Sequence, residues 1–223
     1  MSQRTALLVG ATGLVGGHCL QFLLQAEEYE KVIILVRRPL LMDHQKLEEH
    51  VVNFDKLDQY ASIMRANDVF CCLGTTIKAA GSQQEFRKVD FTYTVQTCAI
   101  AVKNGADQLL VVTSLGANPR SKIFYNRIKG ETEEALSKLP CEAIHFFRPS
   151  LLLGDRKGSR PIENAGISAI KGLSLLMAGP LKKYKPIDAN VVAHSMVLVA
   201  QETRSGVNVY ESDRIQALHD AVA

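Results

Sequence analysis

No run of apolar residues in this 223-residue sequence approaches the roughly 20 that would cross a bilayer. Nor does any amino-terminal stretch combine a charged start, a long apolar segment and a cleavage site. The expectation is a soluble, intracellular, cytoplasmic protein with no membrane partner. Charge of one sign is scarce too: 26 Lys and Arg stand against 23 Asp and Glu, and the cations are scattered. Nucleic-acid binding therefore has no compositional support. The five cysteines form neither a disulfide ladder nor a CxxC metal pattern, with Cys71 and Cys72 adjacent in an apolar segment and the others far apart. Their odd number and apolar settings point to a reducing compartment, read as the cytosol. His18, His44, His50, His145, His194 and His219 stand singly, so no metal site is expected. There is no internal repeat and no low-complexity segment, and the length suits one domain over residues 1–223.

What is present begins with a short apolar strand, Thr5 to Val9, that runs into Gly10-Ala-Thr12-Gly13-Leu14-Val15-Gly16-Gly17 and then into a helical pattern from Leu14 to Gln25. In such a loop one glycine makes the turn off the strand and the next lets backbone amides approach a pyrophosphate. A third lets helix and strand pack closely. The uncapped helix end then offers N–H groups and a positive dipole end to phosphates. Further strands are expected at 31–36, 50–53, 67–73, 108–114, 143–147 and 207–210. Helices are expected at 82–104, 122–139, 188–203 and 212–222, the last capped by Ser212. Strands alternating with helices at this spacing imply parallel βαβ units, hence an α/β fold with a doubly wound parallel sheet of the Rossmann type. From 154 to 187 glycines and prolines interrupt short helical pieces, which reads as a small covering lobe over a substrate.

The second strand ends at Arg37-Arg38, where an NAD-binding fold usually carries an acid for the ribose 2′-hydroxyl. A guanidinium there meets a 2′-phosphate with charge-assisted, bidentate hydrogen bonds, so the pair reads as selecting NADP(H). Asp55, after the third strand, is a candidate acceptor for the adenine amino group, and Leu73, Gly74 and Thr75, after the fourth, would lie along the ribose and pyrophosphate. At the end of the fifth strand stands Ser114, and within the following helix Tyr125 and Lys129 lie four apart on one face. A carbonyl that accepts hydride leaves an alkoxide in need of a proton. A tyrosine hydroxyl can supply it if a nearby cation stabilises the tyrosinate. Lys129 is that cation and also a ribose ligand, and Ser114 would polarise the carbonyl. The Lys182, Lys183 and Lys185 patch beside Tyr184 reads as a solvated loop. Asp155 and Arg156 are placed near the substrate end.

These motifs together resemble the short-chain dehydrogenase/reductase superfamily, of the extended or atypical kind. The segments 35–39, 72–76, 112–117, 147–150 and 153–156 are most similar to its Tat-interacting-protein-like group. The resemblance covers nearly the whole chain. It implies a monomer or weak homodimer that binds NADPH, with Ser114, Tyr125 and Lys129 acting on a small carbonyl or alcohol substrate, and with Pro149 and Ser150 flanking the nicotinamide. Where classical members place an asparagine, this chain has Asp90, which puts the usual proton-relay water in question. The alternative that the resemblance allows is a redox-sensing or regulatory module that binds NADP(H) and acts through a protein partner.

Overall fold

The computed structural model describes residues 3–154, 179–202 and 204–222. Its strands are β1 (Arg4–Val9), β2 (Tyr29–Val36), β3 (Leu47–Val51), β4 (Asp68–Cys71), β5 (Gln108–Val112), β6 (Ala143–Arg148), β7 (Leu152–Leu153), β8 (Ile187–Asp188) and β9 (Gly206–Glu211). Seven of them form one sheet in the order β3-β2-β1-β4-β5-β6-β9, every neighbouring pair parallel, while β7 and β8 pair separately. The order reverses between β1 and β4, and ligands of such sheets sit at the carboxyl ends of the strands at that point.

Both faces of the sheet are covered, which is why its strands read as continuous apolar runs. Along β1, Ala6 and Leu8 point into one core and Leu7 and Val9 into the other, the two-residue period of a strand. The first core is closed by helices α1 (Leu14–Gln25) and Ala189–Ala200; the second by Thr94–Lys103 and Phe124–Leu136. Val15, Cys19, Leu20, Leu23 and Leu24 give α1 its buried stripe. At the amino ends of the strands, Asp68 is wholly buried and fully used. Arg4 donates to both its oxygens, at 2.8 and 2.6 Å, and the Tyr29 hydroxyl donates at 2.8 Å.

The expected helix over 82–104 is divided. It consists of α3 (Gln83–Arg87), a six-residue π-turn (Lys88–Tyr93) and α4 (Thr94–Lys103), after a one-turn α2 (Ile77–Ala80). Among the described residues the remaining α-helices are α5 (Phe124–Leu136), α6 (Ala189–Ala200) and α7 (Ser212–Asp220). The third strand lies earlier than expected, and a 3-10 helix, Phe54–Ile63, takes up the chain after it. Ser212 does not cap α7, whose cap position is Glu211. Its hydroxyl instead accepts from the Ser150 amide at 2.7 Å and so ties α7 to the loop after β6. Of the expected covering lobe, residues 155–178, with Asp155 and Arg156, lie outside the described residues. Among the described residues no helix is long and apolar enough to cross a membrane.

Candidate functional site

A cavity of about 380 Å³ opens at the carboxyl ends of β1, β2 and β4. Gly10, Thr12, Gly13, Arg37, Leu73, Gly74 and Thr75 line it, as the sequence leads one to expect, and so do Phe54, Val89 and Tyr93, which it did not single out. Gly10 turns the chain with φ +85°, and a Cβ on it would lie 2.4 Å from the Cys72 carbonyl oxygen. On Gly16 a Cβ would lie 2.1 Å from the Gly10 carbonyl oxygen, so only glycine lets α1 close on the loop. Leu14, Val15 and Gly16 form the first turn of that helix, behind the cavity. Gly13 stands at its cap position and no side chain takes its first amides, which leaves them to an anion. The donor set and the glycine cradle fit a dinucleotide pyrophosphate.

At the adenosine end Arg37 reaches the cavity, whereas the exposed Arg38 is not among its lining residues. Asp55 is not free. Its Oδ1 accepts from the Tyr93 hydroxyl and lies 2.7 Å from Lys88 Nζ, and these two partners hold the carboxyl below its usual range. Both partners come from the π-turn.

The same π-turn reaches the other end of the site. Asp90 points inward, wholly buried, with Oδ1 2.7 Å from Lys129 Nζ. Its Oδ2 accepts from the Thr75 amide at 3.0 Å. Burial works to neutralise the Lys129 ammonium, but the Asp90 carboxylate, with a smaller contribution from the nearby Tyr125 hydroxyl, outweighs it and holds the lysine above its ordinary value. Gly74 lies directly alongside: a Cβ there would be 3.6 Å from Asp90 Oδ1 and 3.7 Å from Lys129 Nζ. Lys129 thus lies behind Gly74, and neither it, Tyr125 nor Ser114 is among the residues that line the cavity. Tyr125, half-buried, packs its ring 5.4 Å from that of Phe86. Ser114 lies two residues beyond β5 and is 8% exposed, and its Oγ has no hydrogen-bond partner among the described residues.

Two loops meet behind Ser114, where the Leu115 amide donates to the Pro149 carbonyl at 2.9 Å. Ser150 is engaged on both sides: its hydroxyl donates to the Lys185 carbonyl and its amide to Ser212 Oγ. Two supporting residues escaped the sequence reading. Glu133, one turn past Lys129, accepts from Thr113 Oγ1 at 2.6 Å and from both arms of Arg148. Gly130 lets α5 touch the 118–119 loop, since a Cβ would lie 2.2 Å from Asn118 C and Pro119 N. The signal for Glu133 was its spacing, which continues the Tyr125, Lys129 face by another four residues. No group of three or more metal-ligating side chains occurs among the described residues, although His194 and His219 do meet, Nδ1 to Nδ1, at 2.9 Å.

The family described as NAD(P)H-binding matches residues 10–138. Protein HTATIP2 of Rattus norvegicus is 35% identical over 167 residues, 73% of this chain and 69% of that protein. The mitochondrial protein FMP52 of Candida glabrata is 35% identical over 162 residues, 70% of this chain and 67% of that one. In fold the chain is similar to MoeE5, solved in complex with UDP-glucose and NAD, with a TM-score of 0.69 and 17% identity over 98% of this chain and 82% of that one. The relatives overturn one expectation. FMP52 proteins from several yeasts are named mitochondrial, so the cytoplasmic assignment does not stand. Free thiols report a reducing compartment, and they do not tell one such compartment from another.

Proposed function

Because the chain belongs to the NAD(P)H-binding family, in the extended short-chain dehydrogenase/reductase-type group with HTATIP2 and FMP52, we propose that it is an NADP(H)-dependent oxidoreductase of a small carbonyl or alcohol. The observation that carries this reading is the buried Ser114 hydroxyl left without a partner among the described residues. A buried polar group unpaired in the protein costs on the order of 1–3 kcal/mol, and a substrate oxygen is the partner its place at the end of β5 suits.

Gly10, Thr12, Gly13 and the first turn of α1 would hold the pyrophosphate, with Leu73, Gly74 and Thr75 along the opposite wall. Arg37 would meet the 2′-phosphate with charge-assisted hydrogen bonds. When bound, the nicotinamide supplies or accepts the hydride. The chain's own residues handle the oxygen and its proton. Ser114 Oγ donates a hydrogen bond to the carbonyl oxygen and orients it, and the Tyr125 hydroxyl donates the proton that converts alkoxide to alcohol. Lys129 stabilises the tyrosinate left behind. Pro149, tied through its carbonyl to Leu115, shapes the nicotinamide end. By the names of its FMP52 relatives we assign the protein to mitochondria, a placement that organelle fractionation would check.

The test is a screen of aldehydes, ketones and alcohols against purified protein, following NADPH absorbance, repeated with Tyr125→Phe. Turnover that disappears in the variant while NADPH affinity persists is the expected result. Undiminished turnover by Tyr125→Phe would remove tyrosine from the mechanism.

A further inference from the structure

Lys129 is 5% exposed, and nothing about a buried ammonium keeps it charged by itself. Desolvation favours the neutral amine. The groups that face it are Asp90 from the π-turn, Tyr125 from its own helix and Cys71 at the end of β4. Of these only Asp90 carries a full charge within contact distance, at 2.7 Å.

The local backbone explains how a carboxylate reaches this place. A regular helix through 88–93 would carry its side chains at a fixed 100° step, whereas the wider π-turn re-aims them, and such turns are frequent at functional sites. Here the turn sends Lys88 and Tyr93 toward Asp55 and sends Asp90 inward under the loop after β4. The Asp90 main-chain carbonyl is taken up by Thr132 Oγ1, at 3.0 Å, so backbone and side chain of Asp90 both bind α5.

We propose that Asp90 is a positioning residue that keeps Lys129 a permanent cation and fastens it to the cofactor-facing loop through the Thr75 amide. One carboxylate joins α5 to the cavity-lining loop after β4, with Oδ1 on Lys129 and Oδ2 on the Thr75 amide. The carboxylate is itself 1% exposed as a residue, so the pair is closed to water and holds charge without conducting protons to solvent. This inference rests on the reading of Lys129 as the catalytic cation, and its test is chosen to separate the two.

The experiment is an NMR titration of the cofactor-free protein carrying isotope-labelled lysine, with the Lys129 resonance identified by its loss in Lys129→Arg. In the wild type Lys129 should titrate above the ordinary lysine range. In Asp90→Asn it should titrate below that range, and in Asp90→Glu, which restores the charge, it should return upward. An unchanged Lys129 titration in Asp90→Asn overturns the proposal, because the charge would then be held by solvent. If Asp90→Asn does not fold, the double variant Asp90→Asn/Lys129→Met should, since it removes the unpaired buried ammonium; failure of the double variant also overturns the proposal. NADPH fluorescence titrated against pH gives the functional half. Affinity in Asp90→Asn should fall at least about tenfold as pH rises through the lowered lysine transition, while the wild type stays flat. A shifted lysine with unaltered NADPH affinity would uphold the role of Asp90 and refute the contact between Lys129 and cofactor.

Discussion

Arg148 grips Glu133 with both arms of its guanidinium: Nε donates to Oε1 at 2.9 Å and Nη2 donates to Oε2. The same Oε1 accepts from Thr113 Oγ1, so a single carboxylate on α5 pins the carboxyl ends of β5 and β6. Ser114 follows the first of these anchors and Pro149 the second, and Lys129 lies one turn before Glu133. The spacing between the proposed catalytic groups is therefore set by an ion pair that touches none of them.

Glu133 is 6% exposed, and removing one partner of a buried pair strands the other. Glu133→Gln should cost about 3–5 kcal/mol, read as a drop of roughly 10 °C in Tm. Replacing both partners by apolar residues, Glu133→Leu with Arg148→Met, should recover much of that loss, because no charge is then left unpaired. A Tm within a degree of wild type for Glu133→Gln would mean that water already carries the interaction.

Arg37 and Arg38 are neighbours in sequence, but only Arg37 lines the cavity. Arg37→Asp should weaken NADPH binding by about 100-fold, the worth of one or two charge-assisted hydrogen bonds, and change NADH binding by only a few-fold. Arg38→Ala should change either affinity by a few-fold at most. Fluorescence titration with the two nucleotides decides the matter: equal losses for NADPH and NADH in Arg37→Asp would discard the 2′-phosphate contact.

The sheet, its parallel strands and the glycine loop were legible because each is written locally: apolar runs of strand length, turn residues between them, glycines where backbones meet. The division of the helix over 82–104 was not. Its apolar spacing is continuous across Lys88 to Tyr93, and the π-turn shows only in what it aims, namely Asp90 at Lys129 and Tyr93 at Asp55. Asp55 illustrates the same limit. Sequence position suggested it for the adenine end, but not that Lys88 and Tyr93, far along the chain, would already occupy its carboxylate. Glu133 had the spacing and lacked a reason, since its partner Arg148 is brought beside it only by the pairing of β5 with β6.

Gly130 and Gly17 make opposite predictions under the same substitution. A Cβ on Gly130 would lie 2.2 Å from backbone atoms of Asn118 and Pro119, which cannot yield without moving α5 or the loop. Gly130→Ala should destabilise by about 1–3 kcal/mol or more and displace Tyr125 and Lys129, so any turnover should fall further than NADPH affinity. On Gly17 the nearest atom would be the Ala11 carbonyl oxygen at 3.6 Å, an ordinary contact. Gly17→Ala should therefore fold normally and gain up to about 1 kcal/mol from helix propensity. Chemical denaturation of the two variants side by side checks both, and a well-tolerated Gly130→Ala would show that α5 is less closely seated than its backbone contact implies.

His145 gives the fold a defined response to acid. It lies inside β6 with no accessible surface, its Nδ1 3.2 Å from the Tyr210 hydroxyl, and Nε2 without a partner among the described residues. Burial, with a smaller contribution from the Arg204 charge, pushes it down to about 4 from the ordinary 6.5. Between those values the unfolded chain binds a proton that the folded chain refuses, so stability is lost as pH falls from 6.5 and the loss levels off below 4. From pH 7 to pH 4 this one residue should cost about 3 kcal/mol. His145→Asn keeps a hydrogen-bonding group near the Tyr210 hydroxyl and removes the titration, so urea denaturation across this range should show a shallower decline for the variant than for the wild type. Parallel declines would mean that His145 takes up its proton without unfolding and that the acid response lies with other groups.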